Sequence, residues 1–159
     1  MLRLSERRRV VLNDMVALAQ PLPEYDILRS IPGIAETTAT SIIGELRDIR
    51  RFKSANQINA FIGIDLKHYE SGDFLGQEHI TKRGNPYARK ILYKCIHNIA
   101  AASHTNPCHI ADFYEKRKRQ SQTTSTKPHT IASIHRLIRT IYYLKMHNKL
   151  YDYTLAQSH

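Results

Sequence analysis

Apolar residues recur three and four positions apart along most of this 159-residue chain, and proline marks where the pattern restarts. A 3.6-residue period interrupted by such starts specifies a bundle of helices rather than a sheet. Residues 4–19 carry Val10, Val11, Met15, Val16 and Leu18 and end before Pro21 and Pro23. A short helix around residues 25–29 and a second over 35–46 flank the turn Ile31-Pro32-Gly33-Ile34. Ser54-Ala55-Asn56-Gln57 fits a capping box, and Gly63 stands where a glycine stop belongs. Asn85-Pro86 opens another helix, with Tyr87, Ile91, Leu92, Cys95, Ile96 and Ile99 as its buried stripe. Asn106-Pro107 opens the next, through Arg119, and the last runs over 128–148 on Ile131, Ile134, Leu137, Ile138, Ile141, Tyr142 and Leu144. Residues 64–84 keep no period and read as a loop, with room for one small β-hairpin. The fold class is therefore all-α. The organisation reads as a linking, coiled-coil-like helix over 1–22, a main domain over 23–150 and a frayed tail over 151–159.

Charge narrows the partners. Twenty-four Lys and Arg stand against 14 Asp and Glu, a formal +10. A compact domain with that excess attracts polyanions, of which nucleic acid is the commonest. No apolar run is long enough to span a bilayer, and no apolar segment follows Arg7-Arg8-Arg9 as a secretory signal requires. Two cysteines cannot make a disulfide framework, and a reducing cytoplasm suits them.

Three stretches carry chemistry. Residues 28–43, around Ile31-Pro32-Gly33-Ile34-Ala35, resemble a helix-hairpin-helix element. Such a turn aims free N–H groups and a helix N-terminus at a phosphate, with Gly33, Ile34, Ala35 and Thr37 as the contacts. Ala35 stands where the usual motif has a second glycine. A β-branched residue at Gly33 is expected to block the turn and weaken DNA binding. Lys82, Arg83, Asn85, Arg89 and Lys90 bracket a second helix start and can follow one phosphate path. Ser71, between Glu70 and Gly72, is sterically open, but an exposed serine needs a base or a stabilised alkoxide to act as a nucleophile. Other groupings read as ordinary structure. Cys95, His97, His104, Cys108 and His109 lack a paired zinc spacing, and Cys95 sits on the buried stripe. His79 could serve Ser71 as a base, and Glu70 with Asp73 could form a metal pair, although solvent and turn roles explain both. The run Glu115-Lys116-Arg117-Lys118-Arg119 either complements a helix C-terminus or contacts phosphate, and Tyr142, Tyr143, Tyr151 and Tyr153 read as packing or an interface.

The order of these segments resembles the C-terminal domain of the insertion-sequence transposases related to the Piv DNA invertase, the IS-one-ten group. The likeness runs through Ser30-Ile31-Pro32-Gly33-Ile34, Asp48-Ile49-Arg50-Arg51-Phe52-Lys53-Ser54-Ala55, Phe61-Ile62-Gly63-Ile64 and Ser71-Gly72. It continues through Ile80-Thr81-Lys82-Arg83-Gly84-Asn85, Leu92-Tyr93, Asn106-Pro107, Phe113-Tyr114 and Ile138-Arg139-Thr140-Ile141-Tyr142. The resemblance implies that Ser71 is the catalytic serine, attacking DNA and becoming joined to a phosphate. It also implies an upstream resolvase-like nuclease domain holding Mg at acidic residues, and an oligomer in the full-length form. In some members a structured guide RNA directs the enzyme, and the setting is a bacterial or archaeal nucleoid. No nuclease domain fits before the hairpin, so the chain alone is expected to bind DNA without cutting it. The alternative is a nonenzymatic helix-hairpin-helix protein that binds DNA or RNA.

Overall fold

Eight helices and a two-residue strand pair make up residues 2–67 and 79–157, the part of the chain that a computed structural model describes. The helices are α1 (Leu2–Ala19), α2 (Pro23–Arg29), α3 (Glu36–Leu46), α4 (Ala55–Ile62), α5 (Pro86–Ala102), α6 (His109–Gln120), α7 (Lys127–Met146) and α8 (Tyr153–Gln157). A 3-10 turn, Ile49–Arg51, joins α3 to α4. The all-α expectation holds, with a minimal hairpin inside 64–84. Strands β1 (Leu66–Lys67) and β2 (His79–Ile80) pair antiparallel, Leu66 opposite Ile80 and Lys67 opposite His79.

The two long helices α5 and α7 form the centre. Leu92, Ile96 and Ile99 of α5 and Ile134, Leu137, Ile138 and Ile141 of α7 are almost wholly buried. Each such side chain contributes about 1.5–3 kcal/mol through removal from water. α3 and α6 flank α5, while α2, α4 and α6 pack on α7. A buried ion pair ties α2 to α7: Lys145 Nζ lies 2.6 Å from Glu24 Oε1, with side chains only 5% and 9% exposed.

Several expected details change. Tyr87, assigned to the inner stripe of α5, is 69% exposed. On α1 the buried and half-buried positions are Leu12, Val16 and Ala19, whereas Val10, Val11, Met15 and Leu18 face outward. Periodicity shows that a face exists, but the neighbouring α3 decides which side is covered. Helix α6 starts at His109 after a Cys108 cap, later than the Asn106-Pro107 signal indicates. Tyr151, where the tail begins, makes tertiary hydrogen bonds. Tyr151 N donates to Ser30 Oγ at 2.8 Å, and its ring stacks on His109.

Candidate nucleic-acid interface

The Lys82–Lys90 stretch is built on a crossing of two glycines. Gly63 closes α4 in the left-handed region at φ +81°, as its place after Ile62 predicts. Gly84 lies directly on that turn: a Cβ there would stand 2.5 Å from Gly63 N, Ile62 C and Phe61 O. Only two residues without side chains allow the backbones so close. Three bonds strap the segment down, from Thr81 N to Asp65 O, Lys82 N to Gly63 O and Asn85 N to Phe61 O, at 2.9–3.1 Å.

This strap divides the expected contact residues into holders and exposed cations. Asn85 caps α5 by accepting from Tyr87 N and Ala88 N at 2.9 and 3.1 Å, and its Nδ2 donates to Glu45 Oε2 at 2.6 Å. Arg89 Nη1 donates to the Ile62 carbonyl at 2.8 Å, which places a cation at the C-terminus of α4. Both side chains are thus used inside the fold. Lys82, held at φ +53°, and Arg83 and Lys90 are exposed, and none pairs with a carboxylate among the described residues.

The hairpin turn is similarly divided. Ile34 is buried, donates its N–H to Ile31 O at 3.1 Å and accepts from Arg29 Nη1 at 3.1 Å, so its amide serves the turn itself. Gly33 has φ +87°, and its Cβ position lies 2.6–2.8 Å from the backbone of Asn98 and Ile99 on α5. That glycine is therefore demanded by packing against α5. Ala35, Glu36 and Thr37 are exposed, and Ala39 N is bonded to Ala35 O at 2.9 Å as the intrahelical ladder begins. The N–H groups before it face outward, as at any helix start. Glu36 stands in the same first turn, and Leu12, Asn13 and Val16 of α1, with Gln20 just past its end, border it. The two halves of the expected surface lie at opposite ends of α5, since Gly33 meets Ile99 while Asn85 begins the helix. Fourteen residues of helix separate them by roughly 20 Å, about six base pairs along a duplex. They cannot share one phosphate.

A cationic strip that the sequence reading missed extends from the strap. Tyr87, Lys90, Lys94 and His97 are all exposed on one side of α5. His97 packs between Tyr93 and Tyr114, at ring distances of 5.3 and 6.0 Å, and Lys118 lies 5.9 Å from the Tyr114 ring. The 3-4-3 spacing of residues 87, 90, 94 and 97 was the available signal, obscured by placing Tyr87 on the inner stripe.

Ser71, Glu70 and Asp73 lie outside the described residues. Among the described residues, no three His, Cys, Asp or Glu side chains group to hold a metal ion. Cys95 and Cys108 are buried, and burial, with Cys108 nearby, pushes the Cys95 thiol up to about 12. His109 is half-buried. Tyr151 Oη lies 2.8 Å from its Nδ1, and Thr140 Oγ1 3.3 Å from its Nε2. Burial, and then the Arg136 charge, outweigh Asp112 and lower this imidazole from 6.5 to about 4. The neutral ring accepts from Tyr151 and donates to Thr140, the tautomer this network favours. None of the described helices is long and apolar enough to cross a membrane.

The family model described as "Transposase IS116/IS110/IS902 family" matches residues 25–115, which hold the hairpin, the strap and α5. The chain is also similar to the transposase for insertion sequence element IS1111A of Coxiella burnetii (strain RSA 493 / Nine Mile phase I), at 33% identity over 79 residues. That alignment covers 50% of this chain and 22% of the relative, so the chain matches under a quarter of that protein's length.

Proposed function

The chain belongs to the IS116/IS110/IS902 family of transposases, and on that premise we propose that it is the part of a transposase that grips DNA and carries the serine nucleophile. The observation that carries the reading is the clipped segment Lys82–Asn85, whose fold-holding residues leave Lys82, Arg83 and Lys90 exposed beside a helix start. Contacts of this kind hold phosphates without reading bases. The exposed start of α3 at Ala35–Thr37 supplies a second hold on the same backbone, roughly 20 Å away. In this proposal Ser71 attacks a phosphodiester: its Oγ forms the new O–P bond, its proton leaves to a base, and the displaced DNA strand departs on its own oxygen. Among the described residues no three His, Cys, Asp or Glu side chains group to hold a metal ion. An acidic magnesium-binding nuclease domain, as the family resemblance implies, would complete the centre. A guide RNA and an oligomer enter on the same resemblance.

Binding is tested by the anisotropy of a labelled duplex as KCl rises from about 50 to 200 mM. Six or more phosphate contacts would lower affinity by about a thousandfold or more over that range. A flat response would reject the electrostatic grip. For the serine, incubation with labelled duplex and magnesium, with and without a family nuclease domain, is followed by denaturing electrophoresis. A covalent adduct that needs the nuclease domain and is lost in Ser71→Ala supports the composite centre. An adduct formed by this chain alone would overturn it.

A further inference from the structure

The turn between α3 and α4 holds a cation that neither the family match nor the site residues above assign. Arg47, Arg50, Arg51 and Lys53 are all exposed, and Asp48 is the one acid among them. Asp48 is committed to Arg50: its Oδ1 accepts from Arg50 Nε and from Arg50 N, both at 3.0 Å. Arg51 has no carboxylate within ion-pair distance among the described residues. Its guanidinium instead lies 4.3 Å from the Phe52 ring centre and 4.8 Å from that of Phe61. Those rings are 5.5 Å apart and inclined at 58°, and Tyr142 Oη holds the Phe52 carbonyl at 3.3 Å.

Two aromatic faces fix the guanidinium in place, and among the described residues none of its N–H donors is used in a salt link. The result is a planar fork of donors whose conformational entropy is already spent, set at an electropositive exposed turn. A phosphate diester is the anion whose geometry that fork matches. The position fits as well: the Phe61 carbonyl that accepts from Asn85 N ties the same helix to the strap bearing Lys82 and Arg83.

We infer that Arg51, stacked on Phe52 and Phe61, is a prebuilt seat for a backbone phosphate of the bound DNA. The inference rests on the DNA-gripping reading above and adds a contact to it. The competing role is cover alone, with the stem and guanidinium shielding the two rings from water.

Arg51→Met keeps an apolar cover over the rings and removes the charged fork. Labelled-duplex anisotropy across a KCl series, with a thermal melt of each protein, separates the roles. The expected result is about fivefold weaker binding at the same melting temperature, with the log–log salt slope smaller by about 0.9, one phosphate's worth. Wild-type binding that is steeply salt-dependent, with the Met variant equal in affinity and slope, would overturn the Arg51 seat and leave the DNA reading intact. Wild-type binding that is absent or flat in salt overturns both. If the Met variant unfolds, Arg51→Lys is used, because it retains charge and stem but loses the fork. It should bind more weakly than wild type, and equal binding overturns the seat.

Discussion

Replacing Gly33 by alanine separates the two jobs that a hairpin glycine can do. A backbone at φ +87° costs an L-residue about 1–2 kcal/mol. The new methyl would also stand 2.6 Å from Ile99 Cα, 2.7 Å from Ile99 N and 2.8 Å from Asn98 O. These are main-chain atoms inside a 17-residue helix, so they cannot swing aside as a side-chain end would. Overpacking of that kind costs about 1–3 kcal/mol more. Together the loss is about 2–5 kcal/mol, or about 5–20 °C in melting temperature for a chain of this size. Thermal unfolding followed by helix circular dichroism reads it directly. Gly44→Ala is the internal control, because its Cβ meets nothing within 4 Å on exposed α3. It should gain about 0.5–1 kcal/mol from helix propensity. A Gly33→Ala protein that melts within about 2 °C of wild type yet binds duplex more weakly would refute the packing argument. The glycine would then serve the phosphate and not α5.

Two further outcomes follow from the interior. Glu24→Gln strands Lys145 as a buried unpaired charge and should cost about 3–5 kcal/mol in urea unfolding, whereas replacing both partners by leucine and methionine should restore most of it. A loss below about 1 kcal/mol would mean that water reaches the pair. Stability should also fall with acidity before the carboxylates titrate. His109 is held down to about 4 in the fold, so its contribution is complete above its ordinary 6.5 and is lost as pH drops through that window. Discounted for the ring's partial exposure, the loss is about 1–2 kcal/mol. His135, also lowered chiefly by burial, acts in the same direction. Urea midpoints at pH 7 and 4.5 measure the effect, and a His109→Gln variant with an undiminished pH slope would contradict the assignment.

Elements whose signals are local could be read from the residues alone. Asn85 before Pro86, Ser54 before Gln57 and Gly63 after Ile62 each satisfy backbone groups within a few residues, and each helix boundary falls there. The apolar period of α7 fixed its inner face for the same reason. Packing sets which of the described side chains are spent inside the fold. Arg89 and Asn85 look like phosphate contacts beside Lys82 and Arg83, yet the first holds the Ile62 carbonyl 27 residues away and the second holds Glu45 across 40. Gly33 looks like an opening for phosphate until α5 is laid against it, and Tyr151 looks like a loose end until Ser30 and His109 meet it. Arg51 makes the converse case, since its freedom depends on Arg50 taking Asp48 and on Phe61 arriving from another helix. Caps and periods are set by hydrogen bonds and burial within one or two turns of chain. Whether a charge is spent or available depends on partners that only packing brings near.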